Sequence, residues 1–249
     1  MPLRRSEAIV IGGHNLAEAD RIIPFFTRDH GIVRAVAQGA RRIRSRFGGS
    51  LELFTHGHLV YFERPNRTLH AINEFSVQTA FSGLREDLDR LAHAACAVEL
   101  VAASSEEGDP NPDLFGTLLR TLELLHDGVR VDLVLRAFEV KLLKLQGYLP
   151  ELYACMGCRR PIGDAAGAWL SPHQGGLICP DCGRGLSPSL VLSAPAVAFL
   201  RGAARLDVGT AARAQLPDGT AGELARALRH YLPHVLGRAL RSAAFLERI

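Results

Sequence analysis

Apolar positions in the first eighty residues recur with the period of strands, and those beyond residue 81 with the period of helices. Ala8-Ile9-Val10-Ile11 is a short strand ending at Gly12-Gly13. Residues 22–27 and 32–37 flank Asp29-His30-Gly31, the composition of a hairpin turn. Residues 51–63 read as one longer strand interrupted near Gly57. Residues 68–79 alternate, with Leu69, Ala71, Phe75 and Val77 on one face and a break at Asn73. Five strands in about 75 residues predict a small closed barrel of the OB type. Strand count alone leaves an SH3-like barrel open.

The period then changes. Leu84, Leu88, Leu91, Ala95, Val98 and Ala102 fall at helical spacing, with Ser82 placed to cap and Arg85-Glu86-Asp87 in the first turn. Asp109-Pro110-Asn111-Pro112 breaks the chain. Leu114, Leu118, Leu122 and Leu125 make a second helix, stopped at Gly128; Val131, Val134, Leu135, Phe138, Leu142 and Leu145 make a third, closed by Gly147 and Pro150. Residues 151–190 are rich in Gly, Pro and Cys. Helical signal returns after Ala194, and Leu224, Leu228, Tyr231 and Leu232 share a stripe that continues to Leu236 and Leu240, with Pro233 expected to kink or split it. The predicted class is α+β and multidomain. An OB barrel spans 1–80, a helical domain spans 81–150 and 191–249, and a small four-cysteine module, 151–190, is inserted in the latter.

Composition changes this picture little: 47% apolar and 22% charged residues are globular values. No apolar run approaches the roughly 18 residues of a membrane span, and residues 8–11 are too short for a signal-peptide core. The expectation is a soluble cytoplasmic protein with no membrane partner. Charge is more telling. The net +3 is distributed as +4 over residues 1–80, −5 over 81–150 and +4 over 151–249. Of the 29 basic residues only Lys141 and Lys144 are lysines.

Cys155-x-x-Cys158 and Cys179-x-x-Cys182 are separated by 20 residues, close to a common zinc spacing. Two tight turns each offering two thiolates close a tetrahedron around one ion. Four thiolates leave no open position for water, so one structural Zn2+ is expected; a metal-free dithiol pair is the alternative. Trp169, Leu170, Leu177 and Ile178 supply the small core between the pairs, and Gly183 leaves room for backbone N–H groups to turn toward sulfur. His173 lies in the same loop but is not needed as a ligand. Cys96 reads as an inert core thiol.

Between residues 28 and 46 lie Arg28, Arg34, Arg41, Arg42, Arg44 and Arg46, with Asp29 the single acid. Arg34 falls on a strand; Arg41 to Arg46 fill a loop bounded by Gly39 and Gly48-Gly49. Guanidinium groups bind phosphate bidentately, and a glycine-bounded loop can follow a polyphosphate backbone, so these six are the candidate nucleic-acid contacts. Phe47 and Phe54 are either base-stacking platforms or core. A solvated charged loop is the competing reading.

Several motifs together resemble the RecO family of bacterial DNA-repair proteins: Gly39-Ala40-Arg41-Arg42, Ser45-Arg46-Phe47, Leu51-Glu52-Leu53-Phe54, Leu84-Arg85-Glu86-Asp87-Leu88, Leu135-Arg136-Ala137-Phe138-Glu139, Gly147-Tyr148-Leu149-Pro150, the first cysteine pair and Gly175-Gly176-Leu177-Ile178-Cys179. The order covers about residues 5–190. The resemblance implies a recombination mediator that binds single- and double-stranded DNA and anneals complementary strands. It implies partnership with RecR, with RecF in many settings, to load RecA on DNA coated by single-strand-binding protein (SSB), and recognition of the acidic, apolar-tipped SSB tail. The third helix offers Leu142 and Leu145 beside Arg136, Lys141 and Lys144 for that tail. The sequence departs from many relatives in using Arg where Lys is common.

No phosphate-binding Gly-x4-Gly-Lys-Ser/Thr is present, and ten histidines form no catalytic motif, so no enzyme is expected. His56 and His58 share a strand face; His230 and His234 are four apart with Pro233 between. Two other classes stay open: a zinc-ribbon RNA or transcription factor, and a protein-interaction scaffold.

Overall fold

A computed structural model describes residues 2–65, 67–185 and 191–246. Strands β1 (Leu3–Val10), β2 (His14–Leu16), β3 (Asp20–Thr27), β4 (Gly31–Ala37), β5 (His56–Phe62) and β6 (His70–Thr79) form one sheet in the order β1-β5-β6-β4-β3-β2. β1 also pairs with β3, from Ala8↔Thr27 to Val10↔Phe25, so five strands close the OB-like barrel and β2 extends its rim. Ala8, Val10, Ile23, Phe25, Val33, Leu59 and Tyr61 fill the interior. Ile9, Phe26 and Ile32 sit on the opposite faces of the same strands and pack into the helical core. Burial on both faces explains why residues 8–11 read as a continuous apolar run.

The stretch 51–63 is not one strand. β5 begins only at His56, because Leu51 plugs the barrel interior while Phe54, turned at φ +73°, buries against the helical core. In β6 the break at Asn73 is a bulge: Ile72 faces Tyr61 and Glu74 faces Val60, leaving Asn73 as the extra residue. The bulge re-phases the strand, so Ile72 and Phe75 are buried and Val77 is exposed.

The helices are α1 (Gly83–Glu86), α2 (Leu88–Ser104), α3 (Pro112–His126), α4 (Val131–Leu145), α5 (Ala194–Arg205), α6 (Val208–Ala212), α7 (Thr220–Leu236) and α8 (Arg241–Leu246). The expected first helix is two. Ser82 makes no side-chain cap bond, whereas Asp87 is extended and accepts from Arg90 N, starting α2 afresh. The buried face of α2 therefore runs through Ala94, Ala97, Val98 and Val101, and Leu88 is exposed. α4 packs against α2, α3, α5, α6 and α7, which is why Leu133, Val134, Leu135, Ala137, Phe138 and Leu142 are all fully buried. α7 is not split; it continues through Pro233.

The cysteine module holds β7 (Ala168–Ser171), β8 (Gly176–Ile178) and β9 (Val191–Leu192), in the order β8-β7-β9. Leu152, Cys155, Ile162, Leu170 and Leu177 belong to the same continuous core as the helices. The module boundary expected at residue 190 lies outside the described residues.

The barrel is joined to the helical domain by backbone as well as by side chains. Ile32 N donates to Glu106 O (3.0 Å), Gly108 N donates to His30 O (3.2 Å), and Gly31 pairs with Glu107. Gly31 has φ +64°, and a Cβ there would lie 2.5 Å from Glu106 O and 2.6 Å from Asp109 O. Only glycine permits both the turn and this approach.

Candidate nucleic-acid interface and metal centre

The four paired cysteines converge. Their sulfurs all lie within 4.8 Å of one another, and Cys158 Sγ is 3.8 Å from Cys179 Sγ. A tetrahedral ion with bonds near ~2.3 Å requires sulfurs about 3.8 Å apart, so the set fits a four-thiolate metal site. Burial pushes the Cys155 thiol up, but N–H groups of Cys179, Cys158 and Gly157 outweigh it and bring the thiol down to about 6. The neighbouring sulfurs of Cys179 and Cys158 hold Cys182 up at about 12. A fully ionised set therefore needs a cation at its centre. Arg160 lies beside Cys158 and near Asp181.

Gly183 has a different role from the one its position suggested. A Cβ there would lie 2.8 Å from the Trp169 indole, so glycine lets the ring pack under the second cysteine turn. His173 is not beside the sulfurs; its ring meets His234 edge-on at 4.7 Å. Cys96 is buried, which pushes its thiol up to about 12, as suits an inert core sulfur.

The six arginines divide into three groups. Arg28, in the β3–β4 turn, and Arg34, on β4, are paired with Glu7 (3.4 Å) and Glu107 (2.5 Å). Arg41 and Arg46 hold the loop down: Arg41 donates to Ala17 O and Glu18 O, and Arg46 donates to Ile72 O while its guanidinium lies 4.7 Å from the Phe47 ring centre. Arg42 and Arg44 are exposed, with no partner for either guanidinium among the described residues. Phe47 and Phe54 are 6% and 0% exposed, so neither is a stacking platform. OB barrels present ligands on their second and third strands and the flanking loops. Those strands here are β3 and β4, which places Arg34 on the expected face and Arg64 and Arg67 in the flanking β5–β6 connection. Sequence reasoning passed over Arg64 and Arg67; a basic turn between two strands is the signal that marks them. His56 is covered by Phe115 and Glu7, whereas His58 faces solvent and bonds Gln78.

The five residues expected to receive an acidic tail do not form one surface. Leu142 is fully buried, and Arg136 is 7% exposed, with Nη1 2.8 Å from Glu139 Oε2. Lys141 faces Asp207, and burial holds its ammonium below the usual lysine range. Lys144 instead lines an open cleft of about 480 Å3 with Arg205, Leu149, Pro150 and Tyr153, its Nζ donating to Ala204 O. Leu145 is half-buried. Other helices pack over α4, so among the described residues these five line no common groove. Among the described residues no helix is long and apolar enough to cross a membrane.

A closed OB-like barrel, a helical domain and an inserted four-thiolate site define a modular α+β architecture. The chain matches the family "Recombination protein O N terminal" over residues 1–81 and "Recombination protein O C terminal" over residues 85–244. A "DNA repair protein RecO" of Roseiflexus sp. is 38% identical over 98% of this chain and 85% of its own length. Another, of Symbiobacterium thermophilum, is 36% identical over 100% of this chain and 98% of its own. The chain belongs to the RecO family of DNA repair and recombination proteins.

Proposed function

We propose that this protein is a recombination mediator that binds single- and double-stranded DNA through its barrel, without sequence preference, and anneals complementary strands. The exposed pair Arg42 and Arg44, next to the β3–β4 face that carries Arg34, is the observation that carries the reading. Phosphate contacts position a strand while leaving its base edges free. Burial of Phe47 and Phe54 supports the same mode, since bases not stacked on protein remain available to pair with a second strand. Partners on this reading are RecR and SSB, with RecA and RecF reached through them. The four cysteines would hold one Zn2+, which supplies a rigid tetrahedral cross-link and no reaction chemistry.

The loop's anchors decide the experiment. Replacing all four loop arginines would also release Arg41 and Arg46 from their backbone partners, so the informative variant is Arg42→Ala with Arg44→Ala. If each meets one phosphate, the slope of log affinity against log salt for a single strand flattens by about 1.4, from roughly 0.7 per contact. Unrelated sequences weaken alike. An unchanged slope in the folded variant contradicts the assignment, and tighter binding of RNA than of DNA of equal length favours the RNA-factor class.

For the SSB tail, the reading moves from the α4 face to the cleft of Lys144 and Arg205. That cleft combines two cations with Leu149, Pro150 and Tyr153, the chemistry an acidic segment with an apolar tip requires, and the one carboxylate lining it, Glu151, accepts from Tyr153 N and Ala154 N. The cavity beside Arg136 is bordered by Asp89 and Asp132, which repel such a segment. Lys144→Glu with Arg205→Glu is expected to weaken a labelled tail peptide at least about tenfold in fluorescence anisotropy, as reversed charges at a contact cost several-fold each. Unaltered peptide affinity contradicts this placement.

A further inference from the structure

We infer that Glu107, carried by the helical domain, occupies the guanidinium of Arg34 in place of a phosphate, so that the helical domain sets the DNA affinity of the barrel. This rests on the barrel being the DNA-binding surface. A carboxylate and a phosphodiester compete for the same planar set of guanidinium donors. Arg34 stands near the middle of β4, paired across the sheet with Pro24, and half of its side chain is exposed. Its partner arrives on the connection between α2 and α3, in an acidic turn of the acidic middle segment, Glu106-Glu107-Gly108-Asp109.

That arrival is fixed by backbone. The bonds from Ile32 N to Glu106 O and from Gly108 N to His30 O tie the turn to the start of the very strand that bears Arg34. Gly31 admits the turn at a distance no other residue tolerates. The other ion pairs among the described barrel arginines, Arg4–Glu63, Arg21–Glu52 and Arg28–Glu7, use carboxylates of the barrel itself. Among the described residues Glu107 is the one carboxylate from outside the barrel that is ion-paired with a barrel arginine. DNA must displace it to gain its β4 contact, and the two domains are thereby coupled through one exchangeable ion pair.

The test is a cycle in the full-length protein, read by fluorescence anisotropy of a labelled single strand over a salt series. Glu107→Gln keeps the shape and the backbone bonds while freeing Arg34. An exposed pair shifts an equilibrium by a few-fold, so affinity should rise about threefold near 0.1 M salt. The added phosphate contact should steepen the salt slope by about 0.7. Glu106→Gln, which removes the same charge from the same turn without touching Arg34, should give a smaller rise and no change of slope. In an Arg34→Gln background, Glu107→Gln should do no more than Glu106→Gln does. The inference is overturned if Glu107→Gln and Glu106→Gln are equivalent, or if the Glu107 effect survives loss of Arg34. If the parent protein binds no DNA at all, it is the barrel reading that fails.

Discussion

Cys155→Ser combined with Cys158→Ser is expected to strip the module of the Zn2+ proposed for it and to unfold it. Residues 151–185 contribute only two short strands and a few buried apolar side chains of their own. Structural zinc in so small a unit supplies on the order of 10 kcal/mol toward its folding, comparable with the entire stability of a typical domain. Loss should spread, because Leu152, Ile162, Leu170 and Leu177 are continuous with the helical core, and Arg201 of α5 donates to Leu152 O and Ile162 O. The expected outcome is one metal ion per chain in the parent and none in the variant by elemental analysis. Urea unfolding should show the helical domain destabilised by several kcal/mol. A parent purified without chelator that carries no metal, or a variant as stable as the parent, would contradict the assignment.

Glu139→Ala should cost about 3–5 kcal/mol, the usual loss when one partner of a buried ion pair is removed. Glu139 is 5% exposed on α4, between Arg136 on the preceding turn and Arg229 of α7. Burial pushes its carboxyl up to about 7, and the two guanidinium groups offset this only in part. The alanine variant leaves those two cations facing each other in a cavity of about 270 Å3. Replacing the pair together, Arg136→Met with Glu139→Leu, should recover part of the loss, because the desolvation penalties of Arg136 and Glu139 vanish while that of Arg229 remains. The pH dependence follows from the raised carboxyl. The folded state holds this proton when the unfolded state, with a carboxyl near ~4.3, has released it. Its contribution to stability is therefore full below about 4 and is lost as pH rises toward 7, and the paired replacement should flatten that part of the profile. A Glu139→Ala protein within about 1 kcal/mol of the parent would show that the pair carries no such cost.

These two sites were legible in the sequence to different degrees. The cysteine spacing predicts its own geometry, because two tight turns with a fixed pair of ligands leave few ways to close. The barrel strands are readable from alternation wherever one face is buried. Reading fails at residues 51–55, where Leu51 and Phe54 bury into two different cores and no single periodicity describes them. It fails again at Asp87: a helical repeat from Leu84 to Ala102 passes through a residue whose extended backbone breaks the helix. Arg136 and Leu142 looked like neighbours on a surface because α4 is amphipathic over Lys141 and Lys144. Tertiary packing on nearly every side of α4 removes that surface, and only the fold brings Arg205 to Lys144. The Arg34–Glu107 pair spans 73 residues, beyond anything a local pattern encodes.

The central claim is that the protein brings complementary strands together by holding phosphates and leaving bases free. The most direct measurement is the rate at which two complementary oligonucleotides anneal, each first coated with SSB, with and without the full-length protein. The account predicts clear acceleration that fades with salt and is diminished by Arg42→Ala with Arg44→Ala. Annealing no faster than the uncatalysed rate, from a folded protein with its metal in place, would contradict it.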